Sequence, residues 1–283
     1  MIIDFRVRPP LPGFDKIGIL RGGKGFRQFP WSYEDTAPVV SADEFSMPAF
    51  CKEMDDAGIG LGVVHSRHPR YRTGGVTNEE VAEGIRPYAD RLLAFGAVDV
   101  HEGVHECVLS VEHAVKDLGC RGIVLEPGAL APALYADDPR FYPVYERCLE
   151  LNVPVCLSLG MLLGPDISYS RPEPVQRAAR DFPGLQFIIA HASYPFVLEA
   201  AAIACVTPNV WLIPDVYMNI PHIPGADLFA KAVFFTHGER ILYGSAYPLR
   251  SLEQSIRGLD RFHFPAALYE KLTYSNAARL LGL

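Results

Sequence analysis

The chain has 283 residues, 49% hydrophobic and 21% charged, enough to bury a sizeable core in one large α/β domain or two small ones. Its 33 acidic residues against 26 basic ones give a net charge of -7, which excludes the positive field that nucleic acid or an anionic lipid surface requires. No apolar run approaches the roughly 20 residues of a membrane span, so the partner this composition favours is a small molecule.

In chain order, the first element is "IIDFRVR", a short buried strand that ends in Arg6 and Arg8. Residues two apart in a strand share a face, so both guanidiniums are expected to project together from the strand end. Residues 9–46 follow, carrying "PPLPGF", "RGGKGF" and "PWSYEDTAP". This connection is far longer than a usual strand-to-helix loop and is expected to form a lid over the strand ends. "RGGKGF" lacks the glycine spacing and the Lys-Ser/Thr of a phosphate loop.

Seven more short apolar runs read as buried parallel strands: "LGVVHS" at 61, "LLAFGAV" at 92, "RGIVLE" at 121, "VPVCLS" at 153, "LQFIIAH" at 185, "NVWLIPD" at 209 and "RILYGS" at 240. Between them lie stretches with helical spacing. In "TNEEVAEGIRPYADR", Thr77 and Glu80 form a capping box, and "DDPRFYPVYERCLELN" places Pro139 near a first turn. "FPAALYEKLTYSNAARLLGL" reads as a closing helical segment. Eight strand-then-helix units over a length near the typical ~250 residues predict an α/β fold of the (β/α)8 TIM-barrel type, one domain over residues 1–283 with no linker. The six cysteines are scattered, with no C-x-x-C pair, and read as reduced core residues. With no signal-peptide pattern ahead of the first strand, a cytoplasmic location is expected.

Residues 101–105, "HEGVH", match the zinc-protease signature H-E-x-x-H. They follow the third strand directly, however, and Gly103 weakens a helix there by about 1 kcal/mol. The expected reading is a solvent-exposed first helical turn, with Glu112 and His113 the nearest candidates for a third ligand.

In a (β/α)8 barrel the working groups project from the C-terminal strand ends. Those ends carry Arg6, Arg8, His65, Arg67, Asp99, Glu126, Ser158, His191, Asp215, Ala246 and Tyr247. Each has an ordinary structural explanation, such as a hydrogen-bonded His or a buried Arg–Glu tie. Several cations and acids at one mouth point to a site.

The whole chain resembles the amidohydrolase-related branch of the amidohydrolase superfamily, which includes aminocarboxymuconate-semialdehyde decarboxylase and related decarboxylases, hydrolases and lactonases. The resemblance rests on "IIDFRVR", "PVCLSLG" at 154–160, "IIAHASYP" at 188–195, "ILYGSAYP" at 241–248 and the final "SNAARLLGL". It implies a barrel of the metal-dependent-hydrolase type. Relatives carry His-x-His on the first strand, a His on the fifth and an Asp in "GSDYP" on the eighth. Here those places hold Arg6 and Arg8, Ser158 and Ala246, and only His191 on the sixth strand is kept. A zinc ion needs three or four N, O or S donors, and arginine has no lone pair to give. No metal and no other cofactor is therefore expected.

An arginine pair supplies fixed positive charge that binds a carboxylate or stabilises a developing oxyanion. The resemblance and the strand-end residues together predict a metal-independent hydrolase of a small carboxylate or carbonyl substrate. Its target would be a lactone, ester, thioester or carbon–carbon bond next to a carbonyl. His191, whose ordinary pKa of about 6.5 suits proton transfer, and Asp215 are the expected acid and base. Glu126 is a third catalytic candidate, and Arg6, Arg8, Arg67, Ser158, Tyr194, Tyr217 and Tyr247 are expected to bind substrate. The alternatives are a non-oxidative decarboxylase using the same residues and a catalytically inactive barrel that binds a small anion. Apolar helical surfaces in a barrel of this size are compatible with a homodimer.

Overall fold

The computed structural model describes residues 1–17, 20, 39–71 and 74–283. "RGGKGF" and "PWSYEDTAP", expected to belong to a lid, lie outside the described residues. The chain divides into two compact units, one of Met1–Val64, Pro87–Leu93 and Pro214–Leu283, the other of His65–Arg86 and Ala94–Ile213. The strands are ordered as they occur in the chain, first to seventh.

In the first unit, β1 (Ile2–Val7) pairs in parallel with β2 (Ile59–His65), setting Ile3 beside Leu61 and Val7 beside Val64. Apolar Ile3, Phe5 and Val7 alternate with Asp4, Arg6 and Arg8, and all six are buried. Helix α1 (Met47–Asp56) starts at Ser46, whose hydroxyl accepts from Ala49 N at 3.2 Å, and buries Phe50 and Met54.

The second unit alternates helix and strand: α2 (Asn78–Ile85), β3 (Leu92–Ala97), α3 (Val104–Glu112), β4 (Ile123–Leu125), α4 (Tyr142–Glu150), β5 (Val155–Ser158), α5 (Glu173–Asp181), β6 (Phe187–Ala190), α6 (Val197–Val206) and β7 (Val210–Ile213). Strands β4 to β7 pair in parallel, and every residue in them is buried, which is why each reads as an unbroken apolar run. The capping box is in place. Thr77 Oγ1 accepts from Glu80 N at 3.1 Å, and the Glu80 carboxylate accepts from Thr77 N at 3.0 Å. "HEGVH" is split, because Val100–Glu102 form a 3-10 turn, Gly103 sits at φ +100° and α3 starts only at Val104. His101 and His105 therefore do not share a helical turn, and His101 Nε2 instead lies 3.0 Å from Pro132 O.

The first unit resumes with the turn Val216–Asn219, then α7 (Ala226–Phe235) and α8 (Leu252–Asp260), and closes in helical segments from Ala266 to Leu281. The closing segment does more than pack, since Asn276 Nδ2 donates to Gly238 O at 2.7 Å and Ile241 O at 2.9 Å. The expected eighth strand needs correction. Residues 241–247 run along β1, with Phe5 N donating to Tyr243 O at 2.9 Å and Arg8 N to Tyr247 O at 3.1 Å, but they form only isolated bridges. The ladder breaks because the Asp4 carboxylate, not a main-chain carbonyl, takes Ser245 N at 2.9 Å, and because Ala246 turns to φ +53°. Among the described residues there are seven regular strands rather than eight. None of the six cysteines is in a disulfide, and four of them are buried. No described helix is long and apolar enough to cross a membrane.

Candidate active site

Within the first unit, the end of β1 presents two buried cations. Arg6 is 2% exposed, and its Nη1 lies 3.3 Å from Asp215 Oδ2, itself 1% exposed, in a buried ion pair between the first strand and the turn after the seventh. Arg8 is 7% exposed and is held at its backbone by Tyr247. Asp215 adopts φ +43°, ψ −129°, a conformation that costs a non-glycine residue about 1–3 kcal/mol, while its carbonyl accepts from Met218 N and Asn219 N. Tyr217 and Tyr247 are both buried.

Tyr247 ends a hydrogen-bonded chain that was not legible in the sequence. Its hydroxyl contacts Ser41 Oγ, and Glu53 accepts from Ser41 N at 2.9 Å and from Ser41 Oγ at 2.7 Å. A carboxylate can only accept, so the one Ser41 hydroxyl proton goes to Glu53 and the Ser41 oxygen accepts from Tyr247. Tyr247 therefore spends its proton on Ser41 and presents lone pairs, not a donor, to anything else it meets.

Asp4 is the other group the sequence did not single out, although its alternation with Arg6 and Arg8 placed it on their face. It is fully buried, Oδ1 accepts from Arg6 N at 3.0 Å and Ser245 N at 2.9 Å, and Oδ2 has no partner. Burial raises its carboxyl from the ordinary 3.8 to about 7, against the lowering effect of the Ser245 and Arg6 hydrogen bonds and with a smaller push from the Asp215 charge. The folded protein thus keeps a proton that the unfolded chain has lost across this window. Stability should fall by about 1.4 kcal/mol per pH unit as pH rises from about 5 to 7. In Asp4→Asn, whose side-chain oxygen can still accept both N–H groups, denaturant midpoints at pH 5 and pH 7 should converge. A variant with the parent's slope would remove Asp4 as the source.

In the second unit, the segment that begins at His65 is tied to the end of β4. Arg67 Nε lies 3.0 and 3.2 Å from the two Glu126 oxygens and Nη2 lies 2.5 Å from Oε2, with Arg67 7% and Glu126 3% exposed. Burial pushes the Arg67 pKa down, but the Glu126 charge and hydrogen bonds push it up further, so the guanidinium stays charged. Tyr71 sits beneath, donating to Val98 O at 3.2 Å and accepting from Glu126 N at 3.3 Å. His65 stacks on Phe95 with centroids 5.5 Å apart.

Also in this unit, Ser158 and Ala190 lie opposite each other at the ends of β5 and β6, and His191 follows at once. His191, Ala192 and Ser193 all have positive φ, at +66°, +43° and +58°, three consecutive non-glycine residues in a conformation that favours glycine. Gly160 makes room for the imidazole, since a Cβ there would come within 2.8 Å of the His191 ring. Tyr194 is buried, and burial raises its pKa.

The donor set does not suit a divalent cation. The positions where the resemblance implies ligands carry two guanidiniums, a hydroxyl and a methyl group, and among the described residues no three His, Cys, Asp or Glu side chains gather to hold a metal. The acids nearest to hand are already engaged, Asp215 with Arg6 and Glu126 with Arg67.

Comparison with known proteins bears on the fold and the family. An uncharacterised TIM-barrel protein from Bordetella bronchiseptica is 33% identical, with a TM-score of 0.87 over 99% of this chain and 98% of that one. A 2,6-dihydroxybenzoate decarboxylase from Rhizobium has the same fold at 17% identity, with a TM-score of 0.73 over 99% of this chain and 98% of that one. Protein fluG of Emericella nidulans is 42% identical over 102 residues, 35% of this chain but only 12% of the length of fluG. The amidohydrolase family model matches residues 3–283, and the chain belongs to that family.

Proposed function

We propose that the protein is a non-oxidative decarboxylase of a small carboxylate whose carbon lies next to a carbonyl or phenol, and that it works without a bound metal. The observation that carries the reading is the buried cationic end of β1, where Arg6 is neutralised by Asp215 and Arg8 stands two residues further on. The fold shared with a 2,6-dihydroxybenzoate decarboxylase supports decarboxylation over the hydrolysis that the sequence put first.

Decarboxylation converts R–COO⁻ and a proton into R–H and CO2. With a β-keto acid the carbon–carbon bond breaks, its electron pair moves onto the neighbouring carbonyl oxygen, and a proton is then delivered to carbon. With a hydroxybenzoate the proton reaches the ring carbon first, the phenol becoming a ring ketone with loss of its own proton. That ketone oxygen takes the pair and a proton as CO2 leaves. Arg8 binds the carboxylate or the oxyanion that forms, through charge-assisted N–H···O contacts. His191 supplies the proton, which suits a group with an ordinary pKa near neutrality and costs about 10²–10⁴ in rate when removed. Arg6 and Asp215 fix the polar floor. Arg67 with Glu126 forms a structural tie rather than a pair free for chemistry. Hydrolysis would ask more of these residues, because water must then be activated by a protein base alone.

The test is a substrate panel of hydroxybenzoates, β-keto acids, lactones and thioesters, scored for CO2 release and for acid production, together with elemental analysis of the purified protein. CO2 release with a protonated product, lost in His191→Asn, and well under one equivalent of zinc, manganese or iron is the expected result. Acid production without CO2 would restore the hydrolase reading. Activity that tracks a stoichiometric metal would end the metal-free part of the proposal.

A further inference from the structure

Residues 160–163, "GMLL", form a turn of unusual composition that lies entirely within the second unit. Leu163 N donates to Gly160 O at 3.0 Å, closing the turn just beyond the end of β5 with Met161 and Leu162 at its centre. Turn centres ordinarily carry Gly, Pro, Asn, Asp or Ser, which fit the backbone or hydrogen-bond to it. Here Met161, Leu162 and Leu163 follow one another, none of them is buried, and Leu162 is 43% exposed. A single exposed leucine needs no explanation, but a run of three apolar side chains left in water beyond a strand's C-terminal end does.

The turn lies against the imidazole of His191. A Cβ on Gly160 would fall 2.8 Å from His191 Cδ2, 3.0 Å from Cγ and 3.4 Å from Cβ, so the main chain of the turn follows the Cδ2 edge of the ring. Nε2, the ring nitrogen furthest from the His191 backbone, is bonded to Cδ2. A substrate carbon that meets Nε2 therefore has residues 160–163 beside it. We propose that this turn holds the apolar body of the substrate, with Leu162 as the specificity-determining residue. The inference rests on the reading in which His191 meets the substrate, but not on which bond breaks.

The connection is fixed beyond the turn as well. A Cβ on Gly128 would fall 3.0 Å from Gly164 Cα, so the connections after β4 and β5 meet main chain to main chain. Further on, the Tyr169 ring stacks on Tyr135 with centroids 4.6 Å apart and planes 5° from parallel, and Ser168 Oγ lies 2.9 Å from the Tyr135 hydroxyl. A turn anchored on both sides loses little freedom when a ligand settles on it, which lets an exposed apolar contact count towards binding. Leucine has no polar side-chain atom and methionine only a weak acceptor, so they select for hydrocarbon surface rather than for a hydrogen-bonding pattern. The ligand so described is a carboxylate that carries an apolar chain or ring.

The test is calorimetric binding of acetate, butyrate and hexanoate to the full chain, with steady-state rates on the hydroxybenzoates and β-keto acids of the panel. Each methylene that rests on the turn should tighten binding about two- to fourfold in the parent. Leu162→Asn should remove most of that gain, leave acetate unchanged, and raise KM about fivefold or more for the bulkier substrates with kcat little altered. Leu162→Met, which keeps the apolar surface, should behave as the parent does, and so should Val206→Asn, a change at a 67% exposed position at the end of α6. A parent without chain-length preference, or a Leu162→Asn protein that keeps it, would overturn the proposal. So would a Leu162→Asn protein with normal binding but a smaller mass in light scattering, because the turn would then be a contact between copies. His191→Asn separates this inference from the proton-donor role. If that variant turns over as the parent does while Leu162→Asn has lost the preference, the proton role falls and the turn's role stands. If it is inactive while Leu162→Asn keeps the preference, the turn's role falls alone.

Discussion

Replacing Arg8 with Met is expected to cut turnover by about tenfold to a few hundredfold and to leave the melting temperature near that of the parent. The substitution removes a charge-assisted contact worth about 1.5–3 kcal/mol to a bound anion and keeps most of the side-chain volume. The backbone bond from Arg8 N to Tyr247 O is untouched. Arg6→Met should behave differently. Its guanidinium lies 3.3 Å from Asp215 with both groups buried, so the variant strands a carboxylate and should lose about 3–5 kcal/mol of stability. Adding Asp215→Asn should return part of that stability without restoring turnover. Melting curves and steady-state rates on the three proteins decide the matter. An Arg8→Met protein that is badly destabilised yet fully active per folded molecule would sink the anion-binding role.

The second large effect is expected at Arg67. Glu126 accepts three close contacts from this one guanidinium, and both side chains are almost entirely buried. Arg67→Met should therefore cost about 3–5 kcal/mol in denaturant unfolding, because the penalty for an unpaired buried carboxylate exceeds what the pair contributes beyond an apolar replacement. The double change Arg67→Met with Glu126→Leu should recover much of the loss. Were Glu126 instead a catalytic group, Glu126→Gln would abolish turnover while unfolding stayed at the parent's midpoint. That outcome would reverse the assignment made here.

What the sequence revealed was local. The capping box at Thr77, the seven apolar strand runs and the failure of "HEGVH" as a metal helix all follow from spacing within a few residues, and the structure has each. The alternation of Arg6 and Arg8 was legible for the same reason. The contacts that give those residues their roles were not, since Arg6 meets Asp215 across 209 positions and Arg67 meets Glu126 across 59. The same holds for Tyr247 and Ser41, 206 positions apart, and no periodicity encodes such a pairing. The eighth strand misled because its apolar run is real but its ladder is taken over by the Asp4 side chain, a substitution that hydropathy cannot register.

That Asp4–Ser245 contact also bears on how the chain is made. The two residues are separated by 241 positions, so at ordinary rates of synthesis β1 leaves the ribosome about 10–50 s before residues 241–247 exist to lie along it. During that interval β2 can cover one side of β1, while the other side, whose Phe5 and Arg8 N–H groups later donate to Tyr243 O and Tyr247 O, awaits those residues. An uncovered strand edge invites pairing with a neighbouring chain. Yield in a heterologous host should therefore depend on chaperones that shield nascent chains and should drop when many ribosomes crowd one message.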